Sequence, residues 1–146
     1  MRRYLVVANQ TLTASPLLQY AKRSRSAGPC WFHLLVPATA LSHQQDPLIA
    51  DARLLARHRL AAALVRFNAE GVTATGEVGD PNPLRAVVSV LRQFEFDEII
   101  VSTLAAGTSQ WLLQDLPTRL ARATGLPVTH LYAAERATRI QGLVDA

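Results

Sequence analysis

The chain has 146 residues, of which 49% are apolar and 18% charged, and its formal net charge is +4. This length fits one domain, and the apolar content suffices for a buried core and excludes a disordered chain. No apolar stretch approaches the roughly 20 residues of a membrane helix, and "MRRYLVVANQT" turns polar too early for a signal peptide, so a cytoplasmic protein is predicted. The lone cysteine, Cys30, cannot form an internal disulfide and is interpreted as a buried apolar residue.

The first part of the chain predicts two buried strands separated by a helix. The strands are the largely apolar runs "RYLVVA" (3–8) and "CWFHLLV" (30–36). Between them, Ser15 is a potential N-cap, Pro16 suits a first helical turn, and Gly28 ends the helix. The basic cluster "KRSR" near this helix end complements the helix dipole. Because no aromatic residues are interleaved there, nucleic-acid binding is not predicted.

The middle of the chain predicts two helices on either side of a third strand. The first helix covers 50–70, and its apolar side is formed by Ala56, Leu60, Ala63, Leu64 and Phe67. The strand "VTATGEV" (72–78) is weakened by Gly76, which indicates an edge position. Asn82 caps the second helix, whose predicted apolar side is Leu84, Val87, Val88 and Leu91.

The last part of the chain completes an alternation of strands and helices. "DEIIVST" (97–103) and "PVTHLY" (127–132) are strands, and the helix between them covers 109–124, interrupted near Pro117. The order β-α-β-α-β-α-β-α-β predicts a three-layer α/β/α sandwich around a five-stranded, mostly parallel sheet. We expect one domain, residues 1–133, followed by a C-terminal tail, residues 134–146.

The carboxyl ends of the strands are the expected ligand site, because open α/β sheets bind ligands there, at the point where the strand order reverses. The loops at this edge are "ANQT" (8–11), "VPAT" (36–39) and "STLAAGTSQ" (102–110). Small residues let a backbone approach a ligand closely, and helix N-termini offer N–H groups to anions. The sequence therefore predicts a binding crevice at this edge.

Three stretches together resemble the universal stress protein family: "GDPNPLRAVVSVL", "FDEIIVSTLAAGTSQWLLQDLPTRL" and "GLPVTHL". The resemblance covers roughly residues 3–132 and is best from Gly79 onwards. It implies a sandwich of the adenine nucleotide alpha hydrolase-like type and a role in the stress response. It also implies a homodimer formed through the last strand, "PVTHLY".

The resemblance breaks down at the phosphate-binding motif. Nucleotide-binding members of the family hold phosphates with G-x-x-G after strand four, then, nine residues later, a glycine and a serine or threonine. These positions correspond here to Ser102, Ala105, Asp115 and Leu116. None keeps the family residue. An aspartate about 4 Å from a phosphate charge would repel it by about 1–4 kcal/mol. Asp115 is also expected to be the N-cap of a helical piece led by Pro117, so that its carboxylate accepts the N–H bonds a phosphate would use.

A further family position is an aspartate after strand one that meets the adenosine, and Asn9 matches it without the charge. The predicted ligand-binding residues are Ala8, Asn9, Gln10, Val36, Ser102, Thr103, Ala105, Gly107, Thr108 and Asp115. Our leading hypothesis is a universal stress protein-like regulatory or interaction module that lacks the glycine-rich motif and uses no cofactor. The alternative is a protein that binds a nucleotide, such as ATP or AMP, or another small molecule in the strand-end crevice.

The remaining polar residues do not predict catalysis or a metal site. No pair of histidines has zinc spacing, and no serine or threonine is paired by a recognisable motif with a histidine or carboxylate, so we predict neither metal nor enzyme. Asp97 and Glu98 are interpreted as solvated. Trp111 could stack on a ring compound, but packing in an apolar helix is the preferred interpretation. Neither nucleic acid nor membrane is predicted as a partner.

Overall fold

Strands and helices alternate along the chain, as the sequence predicts. The structure is a computed structural model and describes residues 1–39, 49–104, 111 and 115–133. Its elements are β1 (Arg2–Val7), α1 (Ser15–Ala27), β2 (Cys30–Pro37), α2 (Ile49–Ala69), β3 (Ala74–Gly79), α3 (Pro83–Leu91), β4 (Glu98–Leu104), α4 (Leu116–Thr124) and β5 (Val128–Ala133). The observed bounds lie within about two residues of the predicted ones wherever both are defined. The predicted tail, residues 134–146, lies outside the described residues.

The five strands form one parallel sheet in the order β3-β2-β1-β4-β5. The predicted α/β/α sandwich is confirmed, and so is the edge position of β3. The strand order reverses between β1 and β4, because β2 and β3 extend the sheet on one side of β1 and β4 and β5 on the other. In the parts of the chain that the structure describes, no helix is long and apolar enough to cross a membrane.

The core lies on both faces of the sheet, and β1 contributes to each. Tyr4 and Val6 pack with α1 and α2, whereas Leu5 and Val7 pack with α3 and α4. All four side chains are buried, since successive strand residues point to opposite faces and helices cover both. Cys30 is also buried, which confirms the prediction, and burial raises the pKa of its thiol.

The predicted apolar side of α2 is confirmed, but that of α3 is partly wrong. In α3 the buried residues are Pro83, Ala86, Val87 and Val90. Val88, predicted to be buried, is 37% exposed. Both sets of apolar residues have helical spacing, so the sequence alone leaves two possible faces, and packing on the sheet selects one.

Of the N-caps predicted for α1 and α3, one is confirmed and the other is wrong. Asn82 Oδ1 accepts hydrogen bonds from the backbone N–H groups of Leu84 (3.0 Å) and Arg85 (3.2 Å), as expected of an N-cap. Ser15, in contrast, is the first residue of α1, and the N-cap position is Ala14, whose backbone is extended. Ala14 has no polar side chain, so the start of α1 is set by Pro16 in its first turn.

Glu98 is buried, which corrects the expectation that Asp97 and Glu98 are both solvated. Asp97 is exposed, but Glu98 is only 8% exposed at the start of β4. Its carboxylate accepts hydrogen bonds from Arg2 Nη2 (3.2 Å), Tyr20 Oη (2.8 Å) and Thr129 Oγ1 (2.5 Å). These donors come from β1, α1 and β5, so Glu98 ties three elements together at the amino end of the sheet. This end is opposite to the expected ligand edge.

Candidate functional site

The expected crevice lies where the carboxyl ends of β1 and β4 adjoin. Two side chains bridge it directly. Thr11, in the loop after β1, donates a hydrogen bond to the Ser102 carbonyl oxygen (3.0 Å), and its Oγ1 lies 2.7 Å from Ser102 Oγ. Both residues are buried. Since each hydroxyl carries a single proton, Thr11 donates to the carbonyl and Ser102 donates to Thr11, so both donors are used inside the protein.

Both polar atoms of the Asn9 side-chain amide form hydrogen bonds within the protein. Its Nδ2 donates to the carbonyl oxygen of Pro37 (2.8 Å) at the end of β2, and its Oδ1 accepts from Arg59 Nη1 (2.5 Å) on α2. Asn9 is buried and Arg59 is half-buried. This pair of bonds fixes the loop after β1 against β2 and α2. The amide group therefore has its main donor and acceptor engaged before any ligand arrives.

Arg59 brings a positive charge to the crevice that the sequence reasoning did not identify. Burial lowers the pKa of its guanidinium, which nevertheless remains charged. Across residues 1–39, 49–104, 111 and 115–133, no carboxylate forms an ion pair with it. The only signal available in the sequence was an arginine near the apolar positions of α2, which does not indicate what it contacts.

The other predicted residues of the strand ends are not gathered at one point. Ala8 and Val36 are buried in the core beneath the edge, whereas Gln10 is exposed. Thr103 lies on the opposite face from Ser102, since neighbouring strand residues alternate. Thr103 Oγ1 donates to the Leu104 carbonyl (2.9 Å), and His130 Nε2 lies 2.8 Å from the same oxygen.

His130 on β5 is the neighbour of Thr103 on the α3 and α4 face. Because the Thr103 hydroxyl proton is directed to a carbonyl, Thr103 Oγ1 accepts from His130 Nε2–H. Burial lowers the pKa of His130, so the neutral ring is favoured. The ring also packs 4.1 Å, between centroids, from Tyr132. Thr103 and His130 therefore form a hydrogen bond that joins β4 to β5.

Asp115 does not cap α4 with its side chain, which corrects the sequence prediction. It occupies the N-cap position, but with φ 56° and ψ 46°, and its side chain makes no capping hydrogen bond. Its backbone is left-handed, whereas an N-cap residue normally has an extended backbone from which its side chain accepts first-turn N–H bonds, and the residue is exposed. The carboxylate therefore does not occupy the amides that a phosphate would use.

The neighbours of Asp115 are either buried or outside the described residues. Leu116 is 2% exposed and packs in the core beneath α3, and Trp111 is also buried there, which confirms the packing interpretation. Ala105, Gly107 and Thr108 lie outside the described residues, so their predicted role stays a prediction.

Known structures show a related fold. No family model matches the sequence, and no curated protein matches it. A universal stress protein from Burkholderia pseudomallei is 18% identical, with a TM-score of 0.58 over 88% of this chain and 94% of that one. One from Archaeoglobus fulgidus is 12% identical, with a TM-score of 0.61 over 89% and 93%. One from Arabidopsis thaliana, with AMP bound, is 12% identical, with a TM-score of 0.62 over 94% and 95%.

The chain has the universal stress protein fold. The expected architecture is therefore confirmed by comparison as well as by its own topology. At these identities the comparison concerns the fold alone.

His33, which lies outside the crevice, contacts β3 through both of its ring nitrogens. His33 Nε2 lies 2.8 Å from Glu77 Oε2, and His33 Nδ1 lies 2.7 Å from Thr75 Oγ1, which joins β2 to β3. Trp31 Nε1 donates to the same threonine oxygen (2.8 Å). Within the described ranges, no three histidine, cysteine, aspartate or glutamate side chains come together as metal ligands. His33 is a buried histidine satisfied by its neighbours.

Proposed function

We propose that this protein is a universal stress protein-like regulatory or interaction module that does not bind ATP in the manner of the family's nucleotide-binding members. The observation that carries the proposal is the pair of bonds made by Asn9, to Pro37 and to Arg59. The Asn9 side chain, which would contact an adenosine, is already hydrogen-bonded within the protein. The proposal includes no enzymatic activity and no resident cofactor.

Binding of a nucleotide in the crevice would require internal hydrogen bonds to break. A nucleotide that used Asn9 would have to displace Arg59 or the Pro37 carbonyl, each of which would then need another partner. A buried polar group left without a partner costs about 1–3 kcal/mol. Thr11 and Ser102 add a second bridge across the same crevice, with the same cost of opening.

The residues aligned with the phosphate motif support the same proposal on a different basis from the one the sequence indicated. The Asp115 side chain does not accept hydrogen bonds from the N–H groups at the start of α4. Leu116, however, occupies the position at which the family has a serine or threonine, and it is buried in the core. A leucine side chain offers no hydrogen bond to a phosphate. Ser102 is small enough for a phosphate loop, but its hydroxyl is bound to Thr11.

A second candidate function is binding of a nucleotide or another small anion in this crevice, and Arg59 favours it. Its guanidinium is half-buried, charged and hydrogen-bonded to a neutral amide. An arginine in this condition can exchange the amide for a phosphate or carboxylate, which forms the stronger charge-assisted bond. AMP is the natural first probe, since the Arabidopsis thaliana protein of this fold was solved with AMP bound.

One substitution separates the two candidates. Calorimetric titrations with ATP, AMP and cyclic AMP should compare the unchanged protein with Arg59→Met, which removes the charge at similar volume. Arg57→Met is the matched control, because Arg57 lies on the exposed side of α2. We expect no saturable binding to the unchanged protein or to the control, and any gain of binding only in Arg59→Met, because that change frees Asn9.

The opposite result would select the second candidate. Saturable micromolar binding by the unchanged protein, lost in Arg59→Met and kept in Arg57→Met, means that the guanidinium holds the ligand. Our leading proposal would then be wrong.

We further propose that the chain forms a homodimer through β5. This strand lies at one edge of the sheet, and its Tyr132 is 53% exposed. An exposed edge strand favours pairing with another strand. Light scattering should give a dimer mass for the unchanged protein and a monomer mass for Tyr132→Lys, with Val88→Lys on α3 as the control. A monomer mass for the unchanged protein would overturn this arrangement.

A further inference from the structure

Helix α2 carries exposed apolar residues on its outward side. The polar residues exposed among them include His58 near the middle of the helix and Asp51 near its start. Leu54, Leu55 and Val65 are 51%, 41% and 68% exposed. Ala61 and Ala62, between them along the helix, are also exposed. We call these five residues the outer stripe. Large apolar side chains exposed together on one element typically mark an interaction surface.

The geometry of an α-helix places the outer stripe opposite the core. At about 100° per residue, Leu54, Ala61 and Val65 fall on one line along the axis. Ala56 and Phe67 fall on the other side and are fully buried against the sheet. A helix that packs one face on a sheet normally carries polar residues on the opposite face, so the exposed leucine and valine side chains of α2 are unusual there.

The borders of the outer stripe are basic. Arg57 lies on one side and Arg66 on the other, and both are exposed. Glu70, near the end of the helix, forms an ion pair with Lys22 of α1 (3.3 Å). An apolar line between two cationic borders is complementary to an apolar line between two acidic ones.

From this complementarity we infer that the outer stripe docks an acidic amphipathic helix of a partner protein. Ala61 and Ala62 make the centre of the stripe shallow, so a partner helix can approach closely there and place a large apolar side chain between Leu54 and Val65. Glutamates on the borders of the partner helix would then pair with Arg57 and Arg66. This is the helix-in-groove mode of recognition, with anchors at helical spacing.

The same charges disfavour a second copy of the chain as the occupant. In an antiparallel pair of α2 helices, the Arg57 border of one copy would adjoin the same border of the other copy. In a parallel pair, the Arg57 border of one copy would adjoin the Arg66 border of the other, so basic borders meet in both arrangements. Like charges across an interface oppose association. A membrane is also disfavoured, since the stripe lacks the aromatic residues common on interfacial helices.

The inference goes beyond the proposed function, because the outer stripe points away from the sheet and does not depend on whether the crevice is closed. Docking at the outer stripe can be absent even if the crevice binds no nucleotide. Docking can also occur if the crevice binds AMP.

The test uses two synthetic helical peptides of about 15 residues that share one leucine stripe and differ only in its borders, glutamate in one and lysine in the other. Fluorescence anisotropy of the labelled peptides should show binding of the glutamate peptide and not of the lysine peptide. Val65→Asp should weaken this binding at least about tenfold, as for loss of an interface anchor. The control is Val88→Asp, also at an exposed valine but on α3, which should leave binding unchanged.

A charge-reversal variant makes the test specific. Arg57→Glu combined with Arg66→Glu should transfer binding from the glutamate peptide to the lysine peptide. Val65→Ser serves as a second, milder variant should Val65→Asp unfold the protein.

Several results would overturn the inference. These are equal binding of both peptides, binding that survives Val65→Asp in the folded protein, and cosedimentation with phosphatidylserine vesicles without binding of either peptide. A dimer that Val65→Asp dissociates would show instead that the stripe pairs two copies.

Discussion

Thr11 Oγ1 lies 2.7 Å from Ser102 Oγ and 3.0 Å from the Ser102 carbonyl oxygen, which joins the loop after β1 to the end of β4. These two strands flank the point where the strand order reverses, and open α/β sheets bind ligands at such a point. In this protein the two sides of the crevice are bonded to each other.

Substitution of Thr11 and substitution of Ser102 should reduce stability by different amounts. Thr11→Val removes the donor to the carbonyl and the acceptor for Ser102, so two buried groups lose a partner. Ser102→Ala leaves the bond from Thr11 to the carbonyl intact. We expect Thr11→Val to lower the free energy of unfolding by about 1–3 kcal/mol and Ser102→Ala by less. Urea unfolding measures both, and a larger loss for Ser102→Ala would contradict the assigned donors.

Asp115→Gly should not destabilise the protein. Asp115 has a left-handed backbone and no capping side-chain bond, so glycine, which adopts this conformation freely, is expected to keep or slightly raise the urea midpoint. Leu116→Ser, in contrast, should cost about 2–5 kcal/mol, because it empties a buried position. A loss of a few tenths of a kcal/mol or more in Asp115→Gly, as when glycine replaces a capping aspartate, would restore the capping role.

Stability at alkaline pH should depend on Tyr20. Burial, and its hydrogen bond to Glu98, raise the pKa of the Tyr20 phenol to about 12. The folded state therefore holds this proton more tightly than the unfolded state, whose tyrosine pKa is about 10. The stabilisation is complete below pH 10 and is lost as the pH rises towards about 12.

The measurement is urea unfolding between pH 9 and about 12, with and without Tyr20→Phe. Tyr20→Phe should lose less stability across this window than the unchanged protein. Parallel pH profiles for the two proteins would refute the assignment.

Gly76→Ala should force β3 away from its neighbours. A Cβ at this position would lie 2.7 Å from the backbone oxygen of Leu34 and 2.5 Å from Leu60 Cδ1. The backbone oxygen cannot rotate aside, so we expect a loss of about 1–3 kcal/mol in unfolding free energy. Thr73→Ala, at an exposed position just before β3, is the control. A more stable Gly76→Ala protein would show that β2 and α2 can shift without cost.

The elements were predictable because their signals are local. Strands buried on both faces appear as uninterrupted apolar runs, and proline, glycine and asparagine mark where helices begin and end. Gly76 was interpreted correctly as an edge residue, but the close approach of Leu34 and Leu60 that requires it is visible only in the fold. The exposed side of Val88 was missed because α3 offers two apolar lines of equal spacing.

The polar contacts were not predictable, because their partners are far apart in the chain. Arg59 meets Asn9 across 50 residues, and Glu98 meets Arg2 across 96. Neither pairing leaves a spacing that sequence inspection can detect. Asp115 was assigned correctly to the N-cap position. The residue type does not indicate that its φ angle is positive, and with this backbone the side chain makes no capping hydrogen bond.

The position of β1 in the sheet has a consequence for the protein during its synthesis. β1 is the first strand made, yet it lies in the middle of the sheet and pairs with β4, which is made only after three helices and two further strands. A nascent chain can form the β3-β2-β1 half of the sheet before β4 exists. One edge of β1 then has unpaired backbone N–H and C=O groups beside its apolar residues. Until the ribosome has delivered β4, that open edge invites strand addition from other chains, so fragments that end before Glu98 should aggregate.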